Sequence, residues 1–511
     1  MKFDIIKSLF FRIINNDTAR FSGITLACLF YYLVYQSVIL DDAFIYFRIV
    51  KNLIEMGKPV FNIGDTSFVA TSPLWVVILA ASKVILPFFT LELIAKLWWA
   101  ILLTAASTFA YFTFSPFIGK WAVFAACPFF LSPVIGSMTG NEIALLYLAL
   151  FGLIWACIFQ KPIYSGIFLG IGYLARGEFV LAVIPLFLYF IFNKNRQNPE
   201  SKYIIADLIK ISAAAFFFAA PWHSYYFMTF HNFFPTTFSI KMLQGQSGQW
   251  ILFHQVIFVS LYPLLSGRLY LLILTVIGVW KQPYLFRFMA IYTLFHTVLY
   301  TILKIPYYHW YYYDYDIFVL FLTLFGVFSV IEMGNSFMTQ LAQSKQLSWM
   351  AREMPQRMMS AIILVSLFAL IFPMRFELFL PNHFSGIYQN NHTDRRYNSY
   401  EEVSNQLQKV VRPNDIILAD EVGIISYFLQ NQEIRDTNGL ASPNTTVSNM
   451  NDWSYFIDYY KPQFIILRGK PALDKTRSYK FNDSTYIYER YSIIPETETY
   501  LVTSIFIRVT P

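Results

Sequence analysis

The sequence predicts a multi-span α-helical membrane protein, with about 11 transmembrane helices and a soluble C-terminal α/β domain. Three observations predict it. The 511 residues are 56% hydrophobic and only 14% charged, with a mean hydropathy of +0.47. Apolar runs long enough to cross a bilayer, roughly 17–25 residues each, recur from residue 21 to residue 374. Charge then thickens, residues 376–511 holding 29 of the 69 charged side chains.

In chain order the expected spans are 21–40, 73–89, 91–114, 118–136, 142–160, 163–192, 204–228, 250–280, 285–303, 315–333 and 358–374. The 163–192 run is long enough to be broken, and 250–280 is long enough for two spans. Pro87, Pro128, Pro133 and Pro221 blur the edges. No small-residue cleavage site closes the first run, which reads as a retained span. Lys2, Lys7, Arg12 and Arg20 precede it and place the N-terminus in the cytoplasm. The stretch "NKNRQNPESK" (193–202) and Lys345, Arg352 and Arg357 fall on that same side. The first loop, 41–72, and everything after residue 375 then face outward. These signals divide the chain into a polytopic unit, 1–375, and an extracytoplasmic α/β domain, 376–511, at the inner (plasma) membrane. Within the domain "DIILAD", "QFIILR", "TYIYER" and "LVTSIFIRV" read as strands and "SYEEVSNQLQKVV" as a helix.

The net charge of +7 lies largely in short clusters beside apolar segments, which is the signature of membrane topology and argues against nucleic acid as a partner. Cys28, Cys127 and Cys157 sit inside apolar runs and form neither a metal-spaced cluster nor a disulfide framework. No phosphate-cradling glycine loop or dinucleotide fingerprint is present.

The densest chemical signal is "DDAFIYFRIVKNLIEMGKPVFN" (41–62), where two carboxylates leave the first span side by side. An ionised carboxylate in hydrocarbon costs several kcal/mol, so both must face the interface or a cavity. An Asp can cap the helix that follows; two of them, with Arg48 behind, exceed what a cap needs. Capping and catalysis both stay open on these residues alone.

The stretch resembles the first external loop of the GT-C type membrane glycosyltransferases, and in particular the terminal arabinofuranosyltransferases and their relatives. The resemblance rests on Asp41, Asp42, Ala43, Phe44, Ile45, Arg48, Asn52, Leu53, Gly57, Val60, Phe61, Asn62 and Gly64, followed by Thr71, Ser72, Pro73, Leu74 and Trp75. Ile49, Pro59 and Asp65 depart from the pattern and leave the carboxylates intact. Weaker matches follow in order: "TGNEIALLYLAL" (139–150), "YLARGEFVLAVIP" (173–185), "PWHSYYFMTFHNFFPTTFSIKM" (221–242) and "ADEVGIISYFLQNQEIRDTNGLASP" (419–443).

The resemblance implies inverting transfer of a sugar from a polyprenyl-phosphate donor to a hydroxyl of a surface glycan, glycolipid or protein. The residue types suit that chemistry. Asp41 or Asp42 would be the general base, and an adjacent carboxylate pair also suits a hard divalent cation without requiring one. Arg48, Arg176, Lys241 and His309, with Lys304 behind them, are the candidates to face the donor phosphate. Arg48 has a structural alternative in Glu55, Arg176 in Glu178, and Lys241 in simple interface anchoring. Glu142, Glu178 and Trp75 are candidates to face the sugar or acceptor. So are Tyr307, Tyr308 and Trp310 of "KIPYYHWYYYDYDIF" (304–318), where an aromatic belt competes with sugar stacking. A transporter or flippase of lipid-linked glycans is the rival class. Internal repeats would mark it, and none is visible.

Overall fold

The computed structural model describes residues 16–36, 39–66, 68–189, 201–231, 235–256, 269–281, 283–343, 395–468, 491–497 and 503–508. The span expected at 358–374, the strand expected at "TYIYER" and the basic residues Lys345, Arg352 and Arg357 lie outside them. The helical part runs α1 (Asp17–Tyr31), α2 (Asp41–Met56), α3 (Pro73–Ile85), α4 (Leu91–Ile118), α5 (Cys127–Leu131), α6 (Pro133–Ser137), α7 (Ile143–Ile158) and α8 (Pro162–Ala175). It continues with α9 (Ser201–Phe230), α10 (Thr236–Gln246), α11 (Leu269–Lys281), α12 (Pro283–Ile302) and α13 (Tyr313–Gln343).

Among the described residues three helical stretches are long and apolar enough to cross a membrane: Leu91–Phe124, Ile205–Phe230 and His309–Gly334. Shorter apolar helices, including Pro73–Ile85 and Ile143–Ile158, accompany them. Helix α7 is apolar all round and buried on nearly every side, as a central helix must be. Helix α9 is its opposite, with Phe216, Phe217 and Met228 exposed, a surface suited to lipid. Helices α11 and α13 touch backbone to backbone. A Cβ on Gly326 would stand 1.8 Å from the Leu274 carbonyl oxygen, and one on Gly278 1.9 Å from that of Leu322. Small residues allow such close approach between membrane helices.

Two expected spans take another form. The 118–136 run is a 3-10 turn (Gly119–Phe124) followed by the short helices α5 and α6. Gly119, at φ +54, ends α4, and Pro128 and Pro133 each occupy the first turn of a short helix, where a missing N–H is tolerated. The 163–192 run breaks at Arg176, whose extended backbone separates α8 from the 3-10 turn Gly177–Ala182.

The C-terminal sheet contains β1 (Ile416–Ala419), β2 (Glu433–Asp436), β3 (Phe464–Arg468), β4 (Tyr491–Thr497) and β5 (Thr503–Arg508) in the order β2-β1-β3-β5-β4. Strand β1 pairs in parallel with β2 and β3, while β5 is antiparallel to β3 and β4. Helices α14 (Arg395–Leu407), α15 (Gly423–Phe428) and α16 (Trp453–Tyr460) accompany it. Alternation assigns the two faces. Leu418, Ile465 and Leu467 pack with Trp453, Phe456 and Ile457 of α16. Ile417, Ala419 and Ile466 point the other way, into the core that holds Phe44 and Phe47 of α2. The sheet is thus built into the helical part's core.

Candidate active site

Helix α2 organises the site. Leu40 is its N-cap and contributes no side-chain bond, and both aspartates lie in its first turn. Gly57, at φ +72, closes its far end and donates its N–H to the Leu53 carbonyl. Successive helical residues point about 100° apart, so the aspartates belong to different faces.

The Asp41 face continues through Arg48 and Asn52 and meets the sheet region. Asp41 is buried, and its Oδ1 accepts the Ile424 N–H at 2.9 Å. Arg48 is buried too, and its guanidinium makes five bonds to oxygen. Nε donates to the Phe61 carbonyl, and Nη1 to those of Ser426 and Leu429. Nη2 donates to Asn62 Oδ1 and the Gln432 carbonyl, the five distances lying between 2.6 and 3.1 Å. A guanidinium has five N–H groups, and each is used here. Burial pulls its pKa down to about 10, the Asp65 carboxylate opposing that shift. Arg48 was expected to face the donor phosphate or to pair with Glu55; it instead fastens the first loop to the sheet region.

The rest of that loop does the same. Asn62 treats the edge strand β2 as a partner strand would: Oδ1 accepts the Ile434 N–H and Nδ2 donates to the Ile434 carbonyl, both at 2.9 Å. Asp65 pairs with Arg435 at 3.0 Å. Burial is the main cause that raises the Asp65 carboxyl above its ordinary range, with Arg435 pulling it down.

The Asp42 face carries Tyr46 one turn on, and here the motifs converge. The Tyr46 hydroxyl donates to Glu142 Oε2 at 2.8 Å and lies 2.7 Å from Thr71 Oγ1. Glu142 Oε1 accepts from Arg176 Nη1 at 2.9 Å. Arg176 Nε donates to Glu178, and Nη2 reaches the Tyr300 hydroxyl at 3.3 Å. Tyr300 also donates to Glu178, at 2.8 Å. The Arg176 guanidinium lies over the Tyr311 ring, 4.6 Å from its centroid. One buried network therefore joins the first loop, "TSPLW", "TGNE" and "ARGE". Both carboxylates paired with Arg176 serve its charge, which is the structural alternative expected of Glu178.

Trp75 also departs from expectation. It is fully buried and its indole donates to the Gly140 carbonyl at 2.9 Å, which holds the turn presenting Glu142 and leaves no face for a sugar. Trp99 does the same for the Asn141 carbonyl, at 2.7 Å. Gly140 is required there: it sits at φ +97, and a Cβ would meet that of Ala43 at 2.9 Å.

Above the network lies the aromatic segment. Asp42 is half-buried and within electrostatic reach of Tyr308. Burial, Asp42 and Asp436 all raise the Tyr308 phenol, and the Trp250 indole pulls it back. Lys241 of α10 stands over the Tyr308 ring, its Nζ 3.9 Å from the centroid. Tyr308 stacks on Trp310 at 4.9 Å, and His309 is buried edge-on to Trp310 at 4.8 Å. Tyr307 packs on Tyr312, and Lys304 is exposed. Of the expected residues, Asp42, Lys241, Tyr308 and Tyr311's neighbour Arg176 share one electrostatic environment. Tyr46, Thr71, Gln244 and Asp436 belong to it and were missed. Tyr46 could have been found, since it lies four residues after Asp42 on one helix face.

Among the described residues no three His, Cys, Asp or Glu side chains come together as a metal site.

Residues 387–504 match a family described as Domain of unknown function (DUF8728). No curated protein sequence matches the chain. The structure is similar to the crystal structure of ArnT from Cupriavidus metallidurans bound to undecaprenyl phosphate, with a TM-score of 0.60. The likeness covers 96% of this chain and 97% of that one at 12% identity, so it speaks for the fold. The chain has a GT-C-like fold.

Proposed function

We propose that the protein is an inverting glycosyltransferase. It would move a sugar from a polyprenyl-phosphate donor to a hydroxyl of a surface glycan or glycolipid at the outer face of the membrane. The observation that carries this reading is that Lys241 over Tyr308 and Arg176 over Tyr311 stand at one tyrosine-lined wall, with Asp42 one helical turn from Tyr46 of the Arg176 network, in a chain with this fold. The bound undecaprenyl phosphate of ArnT supports a lipid phosphate as the partner class.

Asp42 is the base in this mechanism, since it lies on the helix face that carries Tyr46 of the Arg176 network, while Asp41 lies on the face that meets the sheet region. Asp42 takes the acceptor's hydroxyl proton, a contribution typically worth about 10²–10⁴-fold. The acceptor oxygen bonds to the anomeric carbon from the side opposite the phosphate. The carbon–oxygen bond to phosphate breaks, and its electron pair leaves with the lipid phosphate. Lys241 and Arg176 offset the charge that develops there. Glu142 and Glu178 keep Arg176 charged and aimed.

Purified protein assayed against a panel of polyprenyl-phosphate sugars tests the reading. Asp42→Asn should lower transfer by about 10²-fold or more while the protein still folds and inserts. Near-normal transfer by that variant would remove Asp42 from the role. A lipid-linked glycan carried across vesicles with its donor bond intact would instead favour the transporter class.

A further inference from the structure

Gln244 is 2% exposed and stands between the sheet region and the aromatic wall. Its Nε2 donates to the Asn438 carbonyl at 3.0 Å, and its Oε1 accepts from the Tyr308 hydroxyl at 3.1 Å. The opposite orientation of the amide would set two carbonyl oxygens face to face at Asn438, so one bond dictates the other. Lys241 lies one turn earlier on α10, over the Tyr308 ring. One helix therefore holds Tyr308 by its hydroxyl and by its face.

That helix is itself held by the turn after β2. Gly439, at φ +93, lets the turn approach so closely that a Cβ would meet Ile240 Cδ1 at 3.1 Å. Beyond the end of α10, Gln249 Nε2 donates to the Met450 carbonyl at 3.1 Å. Asp436 braces the turn from within, accepting the Leu440 and Ala441 N–H groups at 2.9 Å each.

We propose that Gln244 is a positioning residue that relays the seating of the 436–442 turn to Tyr308 and Lys241, making the C-terminal sheet region a wall of the transfer site. The inference rests on the transferase reading for its meaning, and its test has a readout that needs no turnover.

The full chain in detergent is compared as wild type, Gln244→Glu, Gln244→Leu, Tyr308→Phe and the Gln244→Leu/Tyr308→Phe double variant. Hydrogen exchange reports the turn, and native mass spectrometry reports affinity for undecaprenyl phosphate. Gln244→Glu keeps an acceptor for Tyr308 and loses the donor to Asn438. It should speed exchange across 436–442 and weaken lipid-phosphate binding about 10-fold, the scale of one positioned hydrogen bond. The double variant should bind no worse than about 2-fold below the weaker single one, because both act through one residue. Faster exchange with unchanged lipid binding in Gln244→Glu overturns the relay. So do losses that multiply in the double variant. Retained sugar transfer in Asp42→Asn overturns the transferase mechanism alone and leaves these binding outcomes standing.

Discussion

Neighbouring aspartates with different duties are a consequence of helix geometry at the scale of single residues. Asp41 accepts the Ile424 amide, and Asp42 lies on another face of the helix, within electrostatic reach of Tyr308. Asn at position 41 retains a carbonyl that can accept from Ile424, so Asp41→Asn should keep the sheet region seated and Asp41→Ala should loosen it. Proteolytic sensitivity of residues 395–468 measures the difference, and equal sensitivity would remove Asp41 from the interface. Arg48 offers a sharper contrast. Arg48→Ala takes the guanidinium from the Ser426, Leu429 and Gln432 carbonyls, while the Phe61 carbonyl keeps Asn52 and Asn62 Oδ1 keeps the Ile434 N–H, and it should destabilise the protein by about 3 kcal/mol or more. Lysine has three donors and no fork, so Arg48→Lys should recover only part. Thermal unfolding in detergent checks both. A folded, stable Arg48→Ala whose sole defect is a raised donor KM would restore the phosphate-binding role. Trp75→Phe keeps a ring and loses the bond to Gly140, and it should cost about 1–3 kcal/mol.

Between elements, α2 and α15 meet with no room for a side chain. A Cβ on Gly423 would stand 2.1 Å from the Asp41 carbonyl oxygen and 2.6 Å from its Oδ2. Gly423→Ala should therefore push α15 off α2, with faster exchange at 423–429 and a fall in transfer; unchanged exchange would show that the two helices give way easily. This contact also explains what could be read in the chain beforehand. The motif around Asp41 and Asp42 was legible because a dense pattern of residue types survives in a linear string. The partners of Arg48 were not, because Ser426 and Gln432 lie 378 and 384 positions away. A string shows a charge and an aromatic ring, not the carbonyls that fold back onto them. Strand β2 was hidden for a related reason. "EIRD" is short and three of its four residues are charged, and its outer edge is completed by the Asn62 side chain instead of another strand. The 118–136 run read as a span because hydropathy counts apolar residues and discounts where Pro128 and Pro133 fall.

For the whole molecule, acid should be gentler than neutrality on the seating of the sheet region. Burial is the main cause that holds the Asp436 carboxyl above the usual carboxylate range, while the Ala441, Leu440 and Gly439 amides and the Ser442 hydroxyl pull it down. The folded protein thus binds this proton more tightly than the unfolded chain does. Its contribution to stability is fully present below the unfolded value of about 3.9. It declines as pH climbs from there through the raised folded value. Asp65 is shifted in the same direction. The thermal midpoint should consequently fall as pH rises from mildly acidic toward neutral. Asp436→Asn should reduce that slope, since an amide does not ionise, although its single oxygen can accept from only one of the Leu440 and Ala441 N–H groups. Unfolding followed in detergent at closely spaced pH values decides it: if the variant keeps the wild-type slope, the buried carboxylate is not its source.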